Sequence, residues 1–373
     1  MAPLGRPAKQ KLVRPADDEV AESAPRVGPV RRADRNPVRG EWLWTTRDDA
    51  ERDLWEELEL VVPKSAPRVL DRALVVSRAL GDYEPTFARQ GFPIEGIAFG
   101  EGSALADSAA ALVVRALPLG VRFAIQAWVP DTDDGNLGAG VADALESAVH
   151  ERLTANPATR ARLASVDALR SEGGHLVQLA LDQPGRAFVG GTPLVQAHSV
   201  FAGGRARMRV GAGKPSRAAR KVEEALQLLG VQPSAGESCV DLGAAPGGWS
   251  WVLLEKRARV IAVDPAMLRP DLYERRGLKH VKESAFTFEP EETVDWLFCD
   301  MAWRPLEAAA LLAKWARRHW ARMLVANLKL PMKRKAEMAI RLREVLADGG
   351  WTRIRMRQLY HDRDEITVVA ARG

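Results

Sequence analysis

"SCVDLGAAPGGWSWVLLEKR", Ser238 to Arg257, changes character twice. An apolar run ends at Asp241, a turn rich in glycine and proline follows, and an apolar stretch with helical spacing continues from Gly248. Strand, tight turn and helix in that order are the opening unit of an α/β sheet. Gly243, Gly247 and Gly248 remove Cβ atoms where backbone must approach a ligand closely. The pattern is not G-x-G-x-x-G, because Ala245 stands where a second glycine would fall and Pro246 lies inside the loop. A plain tight turn is the bland alternative. Asp-x-Gly followed by Pro-Gly-Gly favours a loop for a nucleoside ligand, with Asp241, Gly243, Ala245, Pro246, Gly247, Gly248 and Trp249 as its candidate contacts.

The same alternation extends outward on both sides. Ser216 can cap a helix carrying Val222, Ala225, Leu226 and Leu229 on one face and stopping at Gly230. Downstream come "RVIAVDP" and "TVDWLFCDM" as strands, "LEAAALLAKWARRHWA" as a helix, "RMLVANLKL" as a strand, "KAEMAIRLREVLADGG" as a helix, and a terminal strand pair. This is a doubly wound α/β sheet, Rossmann-like, over 214–373. Ligands bind at the carboxyl ends of such strands. Asp264 ends one strand, 21 residues past Gly243, a spacing suited to ribose hydroxyls, although an Asp opening a turn before Pro265 reads equally well. Asp300 ends the next. Lys329 ends "LVANLK", where it either snorkels to water or, buried among charges, becomes a general base. Glu365 starts the last strand, and Lys221 lies on the helix that enters the sheet.

The rest of the chain is less regular. Residues 1–40 hold six prolines, nine basic and five acidic residues without apolar periodicity, and read as a disordered basic tail, solvated or touching RNA. From 41 to 182, "EWLWTT", "VRFAIQAWV" and "HLVQLALD" read as strands and Ser103–Leu117 and Asn136–Leu153 as helices, an α+β region with no phosphate loop. A binding module is expected there. Residues 183–213, rich in Gly and Arg, read as a linker; Arg205, Arg207 and Arg209 would make one face of any strand in it basic.

Composition limits the classes. The chain has 373 residues, 46% hydrophobic and 28% charged, with net charge +5 and a sequence pI of about 9.3. That size suits two domains. The mild positive excess suits an anionic partner, or merely a solvated surface. No apolar run is long enough to span a bilayer, and no secretory signal is apparent. Cys239 and Cys299 lie in apolar runs and read as core residues, so no disulfide or metal site is expected and a cytoplasmic location is.

"PSRAARKVEEA", "DLGAAPGGW", "CDM", "NLKLPMK" and "RQLYHDRDEITV" resemble the FtsJ/RrmJ-like RNA ribose 2′-O-methyltransferases. They are most similar to the branch that methylates a cytidine 2′-hydroxyl of 23S rRNA and carries an N-terminal THUMP domain. The likeness covers Pro215 to Val369 well; before that, "TFARQGF" (86–92) and the element order carry it. It implies S-adenosylmethionine as cofactor, 23S rRNA as partner, no metal, and a monomer. It also implies a tetrad of Lys221, Asp300, Lys329 and Glu365, with Lys329 as general base. Cofactor contacts would be the loop residues above with Ser216, Asp264, Asp300 and Ser284. Ser284 departs from the family, whose members have an acidic residue at that place.

A lysine base must lose its proton; Lys221 and burial would lower its pKa, whereas Asp300 and Glu365 would raise it. RNA contacts are expected from Arg353, Arg355 and Arg357, alternating along one strand, and from Lys333 and Arg334 with Lys335 just past Lys329. Two alternatives stand beside this reading. A non-catalytic RNA-binding assembly factor would bind no S-adenosylmethionine. A methyltransferase acting on bases or on another RNA would be told apart by mapping the methyl group; "CDMAWRP" lacks the Asn/Asp-Pro-Pro-aromatic loop that base enzymes carry.

Overall fold

Two seven-stranded sheets make up the computed structural model, which describes residues 28–206 and 217–372. The first contains β1 (Trp42–Thr45), α1 (Glu51–Val61), β2 (Arg68–Asp71), β3 (Leu74–Ser77), β4 (Gln90–Phe99), α2 (Ser103–Ala116) and β5 (Phe123–Trp128). It continues with α3 (Asp133–Leu137), α4 (Ala139–Ala155), α5 (Pro157–Arg160), α6 (Val166–Glu172), β6 (His175–Gln183) and β7 (Arg186–Pro193), in strand order β2-β3-β1-β4-β7-β6-β5. The sheet is mixed, with β5 and β6 parallel and its other pairings antiparallel.

Three expectations change here. Residues 186–193 are not linker: β7 sits inside the sheet between β4 and β6, and Gln183 still belongs to β6. Glycines 190 and 191 disguise the strand. A Cβ on Gly190 would lie 1.9 Å from the Pro93 carbonyl oxygen, so close strand packing demands glycine there. Arg205 does not present a basic face either. It is buried, donating to Asn136 Oδ1 at 2.6 Å and to the Val129 carbonyl at 3.2 Å; Arg207 and Arg209 lie outside the described residues. The end of the presumed tail is docked: Ala33 donates its backbone N–H to Val69, Arg35 pairs with Glu41 at 3.0 Å, and Val30 packs on the core.

The second sheet holds α7 (Arg217–Leu229), β8 (Ser238–Leu242), α8 (Gly248–Glu255), β9 (Arg259–Val263), β10 (Leu278–Val281), β11 (Val294–Cys299) and α9 (Pro305–Arg317). β12 (Ala321–Lys329), α10 (Lys335–Asp348), β13 (Trp351–Arg357) and β14 (Glu365–Arg372) complete it. The order is β10-β9-β8-β11-β12-β14-β13. The first five run parallel, and β14 is antiparallel to both β12 and β13. Val222, Ala225 and Leu226 of α7 pack with α8 on one face, and α9 and α10 cover the other. Ser216 and the Leu229 side chain lie outside the described part. Because β9 and β11 flank β8, successive connections leave it in opposite directions, which opens a crevice at its carboxyl end.

The two sheets share one apolar core. Leu54, Trp55 and Leu58 of α1 belong to the same cluster as Leu342 and Leu346 of α10. Polar contacts reinforce the seam. Gln358 N–H donates to the Thr86 carbonyl at 2.8 Å, and Glu84 accepts from Arg355 Nε at 3.0 Å and Arg357 Nη2 at 3.1 Å. No helix among the described residues is long and apolar enough to cross a membrane.

Candidate active site

The turn between β8 and α8 is held by its own protein. Gly243 and Gly247 have φ of +72° and +107°. A Cβ on Gly243 would meet Met301 Cγ at 2.5 Å, and one on Gly247 would meet Leu272 Cδ1 at 2.0 Å. Left-handed backbone and close packing thus give these two glycines a structural reason of their own. Asp264, at the end of β9, splints the turn: Ala245 N–H donates to its Oδ2 at 3.0 Å and Ala266 N–H to its Oδ1 at 2.8 Å. Asp241 is buried and accepts from Ser250 Oγ at 2.6 Å. Burial, with Asp300 and Asp264 nearby, pushes its carboxyl up to about 7 against the pull of the Ser250 hydrogen bonds.

Pro246 is exposed and Ala245 half-buried, whereas Gly248 is buried where α8 begins. Trp249 is not at the surface of the crevice. Only 3% exposed, it packs edge-on against Phe298 below the turn, because an apolar helix must bury one side against the sheet. Ser284 is exposed, and its Oγ accepts from the Phe286 N–H at 3.3 Å, tying its own turn.

Lys221, Asp300, Lys329 and Glu365 converge at the ends of α7, β11, β12 and β14. Lys329 Nζ lies 2.8 Å from Glu365 Oε2 and 3.9 Å from Asp300 Oδ1. Lys221 Nζ donates to the other Glu365 oxygen. Asn327 Nδ2 donates to Asp300 Oδ1 at 3.3 Å. Burial pulls the Lys329 pKa down, yet the Glu365 hydrogen bond and the Asp300 charge outweigh it, so the net shift is upward. Burial pushes Glu365 up, but the two ammonium groups win and hold it below the ordinary range. Asp300 is raised, with burial outweighing the nearby lysines. Of the opposing influences expected on Lys329, the two carboxylates outweigh burial, a shift opposite to the one a lysine base needs.

The basic residues part company. Arg357 is 3% exposed and donates to Glu84 and to the Pro85 carbonyl. Arg355 is half-buried on the same Glu84. They fasten the domain seam and are not a face offered to RNA. Arg353 is exposed, but a bulge between Thr352 and Arg355 breaks the strict alternation. Lys333 is exposed past β12, Arg334 pairs with Glu337, and Lys335 reaches Asp364 at 3.4 Å.

Two residues that the sequence reading passed over join the site. Asn327 precedes Lys329 by two places and so shares its face of β12. Glu224, one turn past Lys221, accepts from the N–H groups of Tyr360 and His361 at 2.8 and 3.2 Å, and pairs with His361 Nδ1 at 2.7 Å.

Residues 215–354 match the model of the FtsJ-like methyltransferases. A ribosomal RNA large subunit methyltransferase M of Thauera aminoaromatica is 33% identical over 76% of this chain and 78% of its own. The protein of that name from Alkalilimnicola ehrlichii is 36% identical over 77% and 79%. The chain belongs to this methyltransferase family. The Halorhodospira halophila member is 45% identical over 44% of this chain, but that match spans only 50% of the relative's own length. Membership makes the protein an S-adenosylmethionine-dependent methyltransferase. The donor set of the crevice fits that cofactor. Asp241, Asp264 and Asp300 stand at the ends of three neighbouring strands, close enough for the other two to raise Asp241. Such a group of carboxylates suits a ligand carrying positive charges and ribose hydroxyls.

Proposed function

We propose that the protein methylates a ribose 2′-hydroxyl of 23S rRNA, most simply that of a cytidine, before or during large-subunit assembly. The observation that carries this is the convergence of Lys221, Asp300, Lys329 and Glu365 in one ion-paired cluster beside the Asp-x-Gly turn. S-adenosylmethionine supplies a methyl group on a positively charged sulfonium. Asp300 and the turn from Gly243 to Gly247 would hold it, with Asp264 and Ser284 toward its nucleoside end.

Lys329 is the general base for the ribose hydroxyl. It acts only once its proton has gone, and Asp300 no longer helps to retain that proton once its charge is shared with another cation. Lys221 keeps Glu365 ionised and in place, and Glu365 fixes the Lys329 ammonium. Alignment of the hydroxyl with the methyl carbon supplies much of the rate. The N-terminal sheet is a THUMP-like RNA-binding region, with exposed cations such as Arg353 and Lys333 positioning phosphates. The protein would work in the cytoplasm as a monomer. Ribose-methylation mapping of rRNA from a strain lacking it tests the proposal: one 2′-O-methyl group should vanish from the large-subunit RNA. Loss of a base methyl group instead, or no change, overturns it.

A further inference from the structure

We propose that Trp303 is a stacking platform for an unpaired nucleobase of the RNA substrate next to the methylated ribose. The inference rests on the reading of the site as one that acts on RNA.

Trp303 lies three residues past Asp300, in the loop that leaves β11. It is 47% exposed. Leaving that much indole in water is unfavourable unless something covers it. The side chain is nevertheless fixed. Its Nε1–H donates to Glu307 Oε2 at 2.6 Å, so its one polar atom is satisfied. The Phe286 ring leans on it, with centroids 5.2 Å apart and planes at 49°. Its backbone N–H donates to the Met301 carbonyl at 3.0 Å, and Met301 is itself wedged against Gly243. What remains to be offered is an oriented π-surface.

The surroundings say what kind of partner fits. Arg304, the next residue, is held by the same Glu307 at 3.1 Å. The loop leaving β12 repeats the pattern at the same offset. Met332 lies three residues past Lys329, is 74% exposed, and is followed by the exposed Lys333. Because β11 and β12 are adjacent and parallel, these two loops flank the tetrad. Each presents an apolar side chain and then a cation. A single-stranded polyanion with splayed bases matches both elements, the bases meeting the apolar groups and the phosphates the cations. An apolar peptide would have no use for the cations.

The test compares full-length wild type with W303A, W303F and W303L. The measurements are RNA affinity by filter binding to an unmodified 23S rRNA transcript, kcat and KM for methyl transfer, and donor affinity by calorimetry. W303A should weaken RNA binding and raise the RNA KM by roughly 5- to 150-fold, the range of one lost base–aromatic stack. Its kcat should change little and its donor affinity not at all. W303F should recover most of the loss, and W303L, apolar but without a π-face, should not. Unchanged RNA affinity in W303A, full recovery by W303L, or weakened donor binding, which would put the indole against the donor's own base, each overturns the proposal. Should wild type bind the transcript without methylating it, the functional reading fails while the stacking test still decides on affinity. Should wild type not bind RNA, both fail.

Discussion

Lys329 and Glu365 are register partners across the antiparallel pair of β12 and β14, and their Nζ and Oε2 atoms lie 2.8 Å apart. The pairing of two strands, one ending at the lysine and the other beginning at the glutamate, is thus what assembles half of the site. α7 adds Lys221 to the free oxygen of the same carboxylate. A one-residue slip of β14 would turn Glu365 to the opposite face of the sheet. Ile366, Val368 and Val369, all fully buried, fix the register against that slip.

Replacing the base tests the central assignment. Lys329→Ala should cut methyl transfer by at least the 10²–10⁴-fold typical of general acid–base groups, roughly, while leaving donor binding nearly intact. Single-turnover assays with labelled donor and calorimetry would separate the two. Normal turnover in this variant would remove Lys329 from the mechanism.

The upward shift of Lys329 fixes the sign of the pH dependence. The kcat/KM profile reports the free enzyme. It should climb through neutral and mildly alkaline pH without a plateau, because the base gains its free form only above the ordinary lysine range. Glu365→Gln removes the negative charge that helps to raise Lys329 and leaves one acceptor oxygen for two ammonium groups, so the limb should move toward lower pH even if the maximal rate falls. A limb that stays put or moves the other way would contradict the geometry.

Stability carries the same signature. Glu365, held low, contributes stability above its unfolded pKa that is lost as pH falls through the folded value. Lys329, held high, contributes below its unfolded pKa and loses that contribution as pH rises through the folded one. The destabilisation caused by Glu365→Gln in urea melts should therefore be greatest near neutrality and shrink below about pH 4, where carboxylates protonate.

Much of the second sheet was legible because its strands are short apolar runs ending in single polar residues. Asp300 and Lys329 stood out for that reason, and Glu365 as the polar residue from which the last apolar run starts. The first sheet was harder. β4 carries Gly91, Pro93 and Gly96, which break its alternation, yet Gly91 is required because a Cβ there would lie 2.0 Å from the Trp44 ring. Arg355 and Arg357 of β13 were hidden for a different reason. Alternation shows which residues share a face, but not that Glu84, distant in sequence, covers that face. The same blindness to long-range partners hid Glu224, whose ligands lie more than 130 residues away.

The seam arginines give a prediction opposite to that of a nucleic-acid contact. Arg357→Ala should lower the unfolding free energy by about 1–3 kcal/mol, since the buried Pro85 carbonyl loses its donor. It should leave the slope of log RNA affinity against log salt unchanged, because Arg357 releases no counterions. A shallower slope would return Arg357 to the RNA-binding surface.

Glu224 provides the last test. It is 5% exposed and takes three hydrogen bonds from Tyr360 and His361, the segment that delivers Glu365 to the lysines. Being on α7 with Lys221, it ties one end of the tetrad to the other. Glu224→Ala leaves two backbone N–H groups unpaired and frees the segment, which should reduce kcat by up to about 100-fold through misplacement of reacting groups. Donor affinity should not change, because Glu224 is not among the strand-end groups of the donor crevice. Tyr360 and His361 donate to different oxygens of Glu224, so Glu224→Gln keeps an acceptor for only one of the two N–H groups and should recover part of kcat. Equal loss in the two variants would mean that the negative charge, not the tether, is what matters. Loss of donor affinity in either would show that the segment serves the donor crevice rather than the base.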